Sequence, residues 1–346
     1  MGDTVMMHMH GHDLVPLTWA RAVGTWEFRP GTTAVLAIVA AAYLAATVRL
    51  YRRHPSRPWP IGRTISFLAG LAVIVAASMG SPAVYGHGGL FWMHMVAHLM
   101  FIMVAPWLLA MGHPITLSLR ALRGPARRLV LVGLRSRLVG LLTFPIVPVA
   151  GYTFVLIGTH LTGFMDTMMR HDSVMLVEQI LYLGSGYLFF NQVLTREPAR
   201  YQVTYPIRLV LLFISMLGDT LVGVVLLQTK TAPFTTFAAM SPSWGPGPVD
   251  DVRNGGALMW IGGDGIMLVM MMVLVMMWLR GGVPEQEGFG RFLENVRSGE
   301  LSRRTGTSDD REIDPDSDEA LEAYNRMLAR LHGQKPESAS DSHQPR

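Results

Sequence analysis

Seven apolar runs, each long enough to cross a lipid bilayer, constrain this 346-residue chain more than any other feature. A transmembrane helix needs about 20 predominantly apolar residues. The runs cover residues 32–51, 62–80, 91–111, 139–159, 173–194, 206–227 and 256–279. Only 16% of the residues are charged, against about 25% in soluble domains, so one globular core could not bury this apolar surface. The sequence therefore predicts an all-α polytopic membrane bundle of seven transmembrane helices, within residues 32–280.

The arginines are concentrated in alternate connections between these runs. Three connections are rich in arginine, namely 49–63, 112–138 and 195–208. The intervening connections hold only Arg170, Lys230 and Arg253. Because positively charged connections stay on the cytoplasmic side of a membrane, the sequence predicts an N-terminus outside and a cytoplasmic C-terminus.

Two polar tails flank the predicted membrane domain. Residues 1–31 form an extracytoplasmic tail rich in histidine and methionine, without the basic and apolar regions of a cleavable signal peptide. The cytoplasmic tail covers residues 281–346. Within it, residues 317–332 are predicted to form a short amphipathic helix, since Ser317 can cap it and its leucines share one face. This helix either rests on the membrane surface or docks a partner.

Several classes of function are excluded by what the sequence lacks. The basic residues are spread between apolar runs and form no single basic face, so nucleic acid is not an expected partner. The absence of cysteine excludes disulfides, cysteine-ligated zinc and iron–sulfur clusters. The chain has neither a nucleophile elbow nor a phosphate-binding glycine loop, and we therefore expect that it is not an enzyme.

Ionisable side chains inside the apolar runs are costly and often mark functional sites. His94 and His98 lie one helical turn apart near the predicted outer end of the third run, so both rings can face one partner. At a helical rise of 1.5 Å per residue, three carboxylates lie about 8–12 Å below the outer boundary. They are Glu178, Asp219 and Asp264. Further histidines occupy the outer rim (His87, His160 and His171) and the tail (His8, His10 and His12).

Histidine and methionine together, without cysteine, suit a copper site. Imidazole binds copper, zinc, nickel and iron, whereas thioether sulfur favours Cu(I). Met95 precedes His98 by three residues and could place a sulfur near the same face. The structural alternative is that these polar groups only hydrogen-bond between helices and that methionine fills apolar space.

The stretch "HMVAHLMFIMVAPWLLAMGHPITLSLRAL", residues 94–122, resembles the signature of the CtaG-type cytochrome c oxidase assembly factors. Residues 177–190, 205–226 and 254–268 are also similar to that family. The resemblance implies a multi-pass protein of the bacterial plasma membrane that helps to mature a copper-containing oxidase, with an oxidase subunit as its client. One departure is Gln179, because the family pattern has a histidine close behind the glutamate of this helix.

The sequence therefore predicts an oxidase assembly factor that binds or delivers copper, as Cu(I), at the outer membrane face. The predicted metal-site residues are His94, His98, His87, His160, His171, Glu178, Asp219 and Asp264. The paired histidines are the expected ligands, a rim histidine completes the site, and the carboxylates tune or gate it. Two other functions stay open, namely a haem- or quinone-linked redox protein and a metal-ion or proton transporter. A homo-oligomer in the lipid bilayer is compatible with all three.

Overall fold

The chain is helical throughout the part that the structure describes. A computed structural model describes residues 14–280, except residues 57, 196, 199, 200 and 202. These residues form sixteen α-helices and two π-helical segments, and they contain no strand. The first nine helices are α1 (Trp19–Gly24), α2 (Pro30–Arg53), α3 (Ile61–Met79), α4 (Ser81–His87), α5 (Phe91–Leu99), α6 (Ala105–Met111), α7 (Pro114–Ala121), α8 (Gly124–Leu134) and α9 (Arg137–Leu142). The others are α10 (Ile146–His160), α11 (Phe164–Arg170), α12 (Asp172–Leu194), α13 (Tyr205–Leu227), α14 (Thr235–Met240), α15 (Pro248–Ala257) and α16 (Asp264–Arg280), and the π-helical segments are Met100–Val104 and Leu258–Gly263.

Six of the described helical stretches are long and apolar enough to cross a membrane, and they coincide with six of the predicted runs. They are Pro30–Arg53, Ile61–His87, Phe91–Ala121, Asp172–Leu194, Tyr205–Leu227 and Pro248–Leu279. A seventh span results if α10 and α11, which meet at an angle of 72°, form one broken span. The predicted all-α polytopic bundle is therefore confirmed with six to seven candidate spans, while the orientation of its termini stays a prediction.

Contacts between residues divide the chain into two compact units, Met1–Met276 and Met277–Arg346. The first unit contains the helices discussed below. Nearly all of the second unit lies outside the described residues, and so do the predicted cytoplasmic tail and its helix at 317–332. The tail histidines, within residues 1–13, also lie outside the described part.

The described end of the N-terminal tail packs on the helical bundle. Leu14 is buried in an apolar cluster with Tyr85, Leu90 and Met93. The carbonyl oxygen of Leu14 also accepts a hydrogen bond from the indole Nε1 of Trp244 at 2.6 Å. The chain is thereby anchored beside α4 and α5 before it enters α1 and the first span.

The fourth predicted run, residues 139–159, is divided by a break. α9 begins after Ser136, whose hydroxyl oxygen accepts the backbone N–H of Val139 at 3.2 Å. Pro145 then stands before α10, where its missing N–H and its ring restrict the backbone. The resulting α10 has only 15 residues, fewer than the roughly 20 that a straight span requires.

The third span continues through a π-helical segment that follows the paired histidines. Pro106 has no N–H, so the carbonyl of Ile102 lacks its usual donor four residues later. Gly186 of α12 packs directly on this carbonyl, because a Cβ there would overlap it and would lie 2.8 Å from Pro106 Cγ. The close approach brings α12 against the helix that carries His94 and His98.

The start of α5 is held by a carboxylate from a distant part of the chain. Asp251 of α15 is only 2% exposed. Its Oδ2 accepts the backbone N–H of Phe91 at 2.7 Å, and its Oδ1 accepts that of Trp92 at 3.1 Å. These N–H groups have no partner within their own helix, so Asp251 caps α5 in place of a local residue. The cap holds the first turn of α5 in place, directly before His94.

Candidate metal centre

His94 and His98 share one buried face of α5, as their spacing predicts. Their exposed fractions are 3% and 2%, and their ring centroids lie 4.1 Å apart. Glu178 of α12, which is 2% exposed, reaches the same face and places its Oε2 3.5 Å from His98 Nε2. One ligand atom from each of the three residues lies within 4.8 Å of the other two. Two helices that are far apart in sequence therefore bring together two imidazoles and a carboxylate.

The three side chains present polar atoms that have no hydrogen-bond partner. These atoms are His94 Nε2, His98 Nε2 and Glu178 Oε1. Buried polar atoms are normally paired, because an unpaired one costs about 1–3 kcal/mol. Within the described residues, Glu178 also forms no ion pair with an arginine or lysine. Imidazole nitrogens and a carboxylate oxygen are metal ligands, so a cation would satisfy all three atoms at once.

A small cavity lies between these groups. Its volume of about 10 Å³ is at the lower limit for one water molecule. Its walls comprise Ala77, His87, His94, Ala97, His98, Phe101, Met175, Glu178, Gln179 and Tyr182. Donor atoms that share one ion lie closer together than 4.8 Å, so the three side chains would have to move toward a bound metal. The space is suitable for a single ion.

Met175, and not Met95, is the methionine that lines this cavity. Met175 precedes Glu178 by one helical turn on α12. Met95 instead is fully buried against Gly255, on the side of α5 that faces α15. The expectation of a sulfur from Met95 is therefore not met, because the residue three positions before His98 points away from the histidine face. Gln179 also lines the cavity, at the position where the sequence departs from the family pattern.

His160 lies directly behind His98 at the end of α10. Its Nε2 is 3.0 Å from His98 Nδ1, and its ring is 1% exposed. Tyr182 and Thr159 join this network, with a Tyr182 Oη–Thr159 Oγ1 distance of 2.7 Å. Sequence analysis missed both hydroxyl groups. Tyr182 could have been found, because it stands one turn after Glu178 on the same face of α12.

The other two rim histidines lie in different positions relative to the pair. His87 lines the cavity, and its ring centroid is 6.1 Å from that of His94. The guanidinium Nη2 of Arg29 donates to His87 Nδ1 at 3.4 Å. His171 instead stands exposed at the start of α12 and does not line the cavity. The structure thus brings His87 and His160 to the pair and leaves His171 outside.

Asp219 and Asp264 belong to a second polar cluster. The hydroxyl of Tyr152 donates to Asp219 Oδ2 at 3.2 Å, and Asp219 is fully buried on α13. The hydroxyl of Thr220 donates to Asp264 Oδ2 at 2.7 Å, while Asp264 Oδ1 has no partner. Neither carboxylate lines the histidine cavity. The three carboxylates therefore lie at similar depths along their helices but not at one site. Depth within a helix does not determine which helices pack against each other.

Comparison with known proteins identifies the family. The chain matches the family described as cytochrome c oxidase caa3 assembly factor (Caa3_CtaG) over residues 41–281, more than half of its length. The chain belongs to this family. The match includes α5, α10 and α12, so the caa3 assembly factor region contains the whole histidine–glutamate site. The resemblance carried by the paired-histidine stretch is thus confirmed.

The relatives of this caa3 assembly factor family member include longer mycobacterial proteins. Uncharacterised proteins of Mycobacterium bovis and Mycobacterium tuberculosis are each 30% identical over 325 residues, covering 91% of this chain and 46% of the relative. An uncharacterised protein of Mycobacterium leprae is 26% identical over 329 residues, with the same coverage. The chain therefore spans about half the length of the curated relatives it matches. No solved structure matches it.

Proposed function

We propose that this protein supports assembly of a copper-containing cytochrome c oxidase by holding Cu(I) between His94, His98 and Glu178. The observation that carries the proposal is that His94, His98 and Glu178 each have a buried polar atom without a hydrogen-bond partner. One ligand atom from each of the three residues also lies within 4.8 Å of the other two. Such a group is costly unless it binds a cation. The caa3 assembly factor family supplies the class of client, an oxidase in the bacterial plasma membrane.

The donor set supports copper more than the other metals that imidazole binds. Two nitrogens and one carboxylate oxygen also suit zinc, but the side chain of Met175 lines the same cavity and has a thioether. Thioether sulfur favours Cu(I), and no cysteine competes for the ion. With few ligands, the site could also release its ion to a client, as a delivery protein must.

The predicted orientation places this site on the outer side of the membrane, where the protein would receive copper and pass it to an oxidase subunit. We propose binding and transfer of the ion, without a catalytic step. Because the relatives are about twice as long, the proposal concerns the membrane region represented by this chain.

The geometry gives less support to the two alternatives. Two histidines on one turn of α5 cannot bind opposite faces of one haem iron. A transporter would need a polar path across the bundle. Asp219 hydrogen-bonds with Tyr152 and stands apart from the histidine cavity, so the described contacts supply no such continuous path.

The proposal is tested in a bacterium that lacks the corresponding gene and carries either the wild-type protein or a variant. His94→Ala is expected to lower the copper content and activity of the oxidase to the level of the deletion strain, at equal protein abundance. His171→Ala is the matched control, since His171 is exposed and outside the cavity. Normal copper loading with His94→Ala would overturn the proposal.

A further inference from the structure

A backbone carbonyl determines which ring nitrogen of His160 carries the proton. His160 Nδ1 lies 2.9 Å from the carbonyl oxygen of Leu156, one turn earlier on α10. A carbonyl oxygen can only accept a hydrogen bond, so Nδ1 must carry the proton. A neutral imidazole has one N–H, and Nε2 of His160 is therefore an acceptor.

This assignment determines which nitrogen of His98 carries a proton. His160 Nε2 lies 3.0 Å from His98 Nδ1, and two acceptor nitrogens at this distance would form no bond. His98 Nδ1 must then donate to His160. In the neutral ring, the proton on Nδ1 leaves His98 Nε2 as a bare nitrogen, and this is the atom that faces Glu178.

The neighbouring hydroxyl groups lead independently to the same assignment. Thr159 Oγ1 donates to the carbonyl of Val155 at 2.8 Å, so its oxygen is free to accept the hydroxyl proton of Tyr182 at 2.7 Å. The oxygen of Tyr182 then faces His98 Nδ1 at 3.3 Å as a second acceptor. Both neighbours of Nδ1 are acceptors, and both require a proton on that nitrogen.

We propose that His160 is a positioning residue for the metal site, and that it acts by holding His98 in the tautomer whose Nε2 is free to bind the ion. This inference rests on the proposed metal site and changes the expected role of His160, which sequence analysis placed among the residues completing the ligand set. Its Nε2 is occupied by His98, so it is not a ligand itself. Partners that orient a metal-bound histidine in this way typically contribute about 10–100-fold to metal affinity.

The first part of the test uses metal-free protein with isotope-labelled histidine rings. Nitrogen chemical shifts distinguish the two tautomers, and the His98 signals are assigned by their loss in His98→Gln. We expect the Nδ1–H tautomer in the wild type and a mixture in a His160→Leu, Tyr182→Phe variant, which removes both acceptors. A wild-type His98 in the Nε2–H tautomer would overturn the inference, whether or not the protein binds metal.

The second part measures Cu(I) affinity by competition with a coloured chelator. His160→Leu is expected to weaken binding about 10–100-fold. His160→Gln keeps an acceptor oxygen close to the position of Nε2 and is expected to restore most of the affinity. Equal affinities for the leucine variant and the wild type, or equal losses in both variants, would overturn the inference. A wild type that binds no copper would instead refute the proposed function, while the tautomer measurement would still decide the role of His160.

Discussion

His98 Nε2 and Glu178 Oε2 lie 3.5 Å apart across the interface of α5 and α12, with both side chains 3% exposed. Glu178 Oε1 and both Nε2 atoms of the histidine pair lack hydrogen-bond partners. The interface therefore contains a carboxyl group and two imidazoles that a hydrophobic bundle would not need for its own stability. Binding of a cation would offset the free-energy cost of leaving these buried polar atoms unpaired.

Glu178→Gln should stabilise the metal-free protein and weaken its metal binding. The new amide N–H can donate to a bare Nε2, so the free energy of unfolding should rise by about 1–3 kcal/mol. Loss of a ligand oxygen should lower Cu(I) affinity by at least about tenfold. Unfolding in detergent and chelator competition measure the two effects. Asp172→Asn, at the exposed start of the same helix, should leave Cu(I) affinity unchanged.

Asp251→Ala should destabilise the protein although Asp251 is far from the metal site in sequence. The variant leaves two backbone N–H groups of α5 without their acceptor, which should lower the free energy of unfolding by about 2 kcal/mol. Asp250→Ala is the matched control, because the Asp250 side chain is 70% exposed and forms an ion pair with Arg253 on the surface of the same helix. Equal stabilities of the two variants would contradict the role of Asp251 as the cap of α5.

Gly186→Ala should disrupt the packing of α12 on the π-helical segment. A methyl group there would overlap the Ile102 carbonyl, so we expect a loss of about 1–3 kcal/mol in unfolding free energy. Gly184→Ala, with nothing within 4 Å of its added Cβ, should instead gain about 0.5–1 kcal/mol. The difference between their thermal midpoints in detergent tests the contact. A Gly186→Ala protein as stable as Gly184→Ala would show that the two helices do not approach so closely.

Asp219→Asn should leave Cu(I) affinity unchanged, because Asp219 pairs with Tyr152 and lies outside the histidine cavity. The asparagine oxygen can still accept the tyrosine hydroxyl, so the helix packing should persist. Chelator competition on the purified variant measures the affinity. A loss comparable with that of Glu178→Gln would mean that Asp219 acts on the same ion after all.

The helical spans could be predicted from the sequence because each needs only a long apolar run. Phe91 begins both the predicted third run and α5, and Leu194 ends both the predicted fifth run and α12. The break before α10 was not predicted, since proline is tolerated in a membrane helix and Pro145 alone does not distinguish a kink from an end. α8 was also missed, because its 11 residues are too few for a membrane span and lie within the arginine-rich connection 112–138.

The candidate site could be predicted only where its residues share a helix. The spacing of His94 and His98 predicts that both rings share one face of α5, and in the structure the two rings lie side by side on that face. Whether Glu178 or Asp219 faces that pair depends on which helices pack together, and periodicity within one helix does not contain this information. For the same reason, the contacts of Asp251 with α5 and of His160 with His98 could not be predicted from the sequence.

The most direct test is the Cu(I) content and affinity of purified protein, comparing the wild type with a His94→Ala, His98→Ala double variant. His171→Ala serves as a control for histidines outside the cavity. We expect a single copper ion per chain in the wild type and in the control, and its loss in the double variant. Copper that stays bound without both histidines, or a wild type that binds none, would contradict the proposed site.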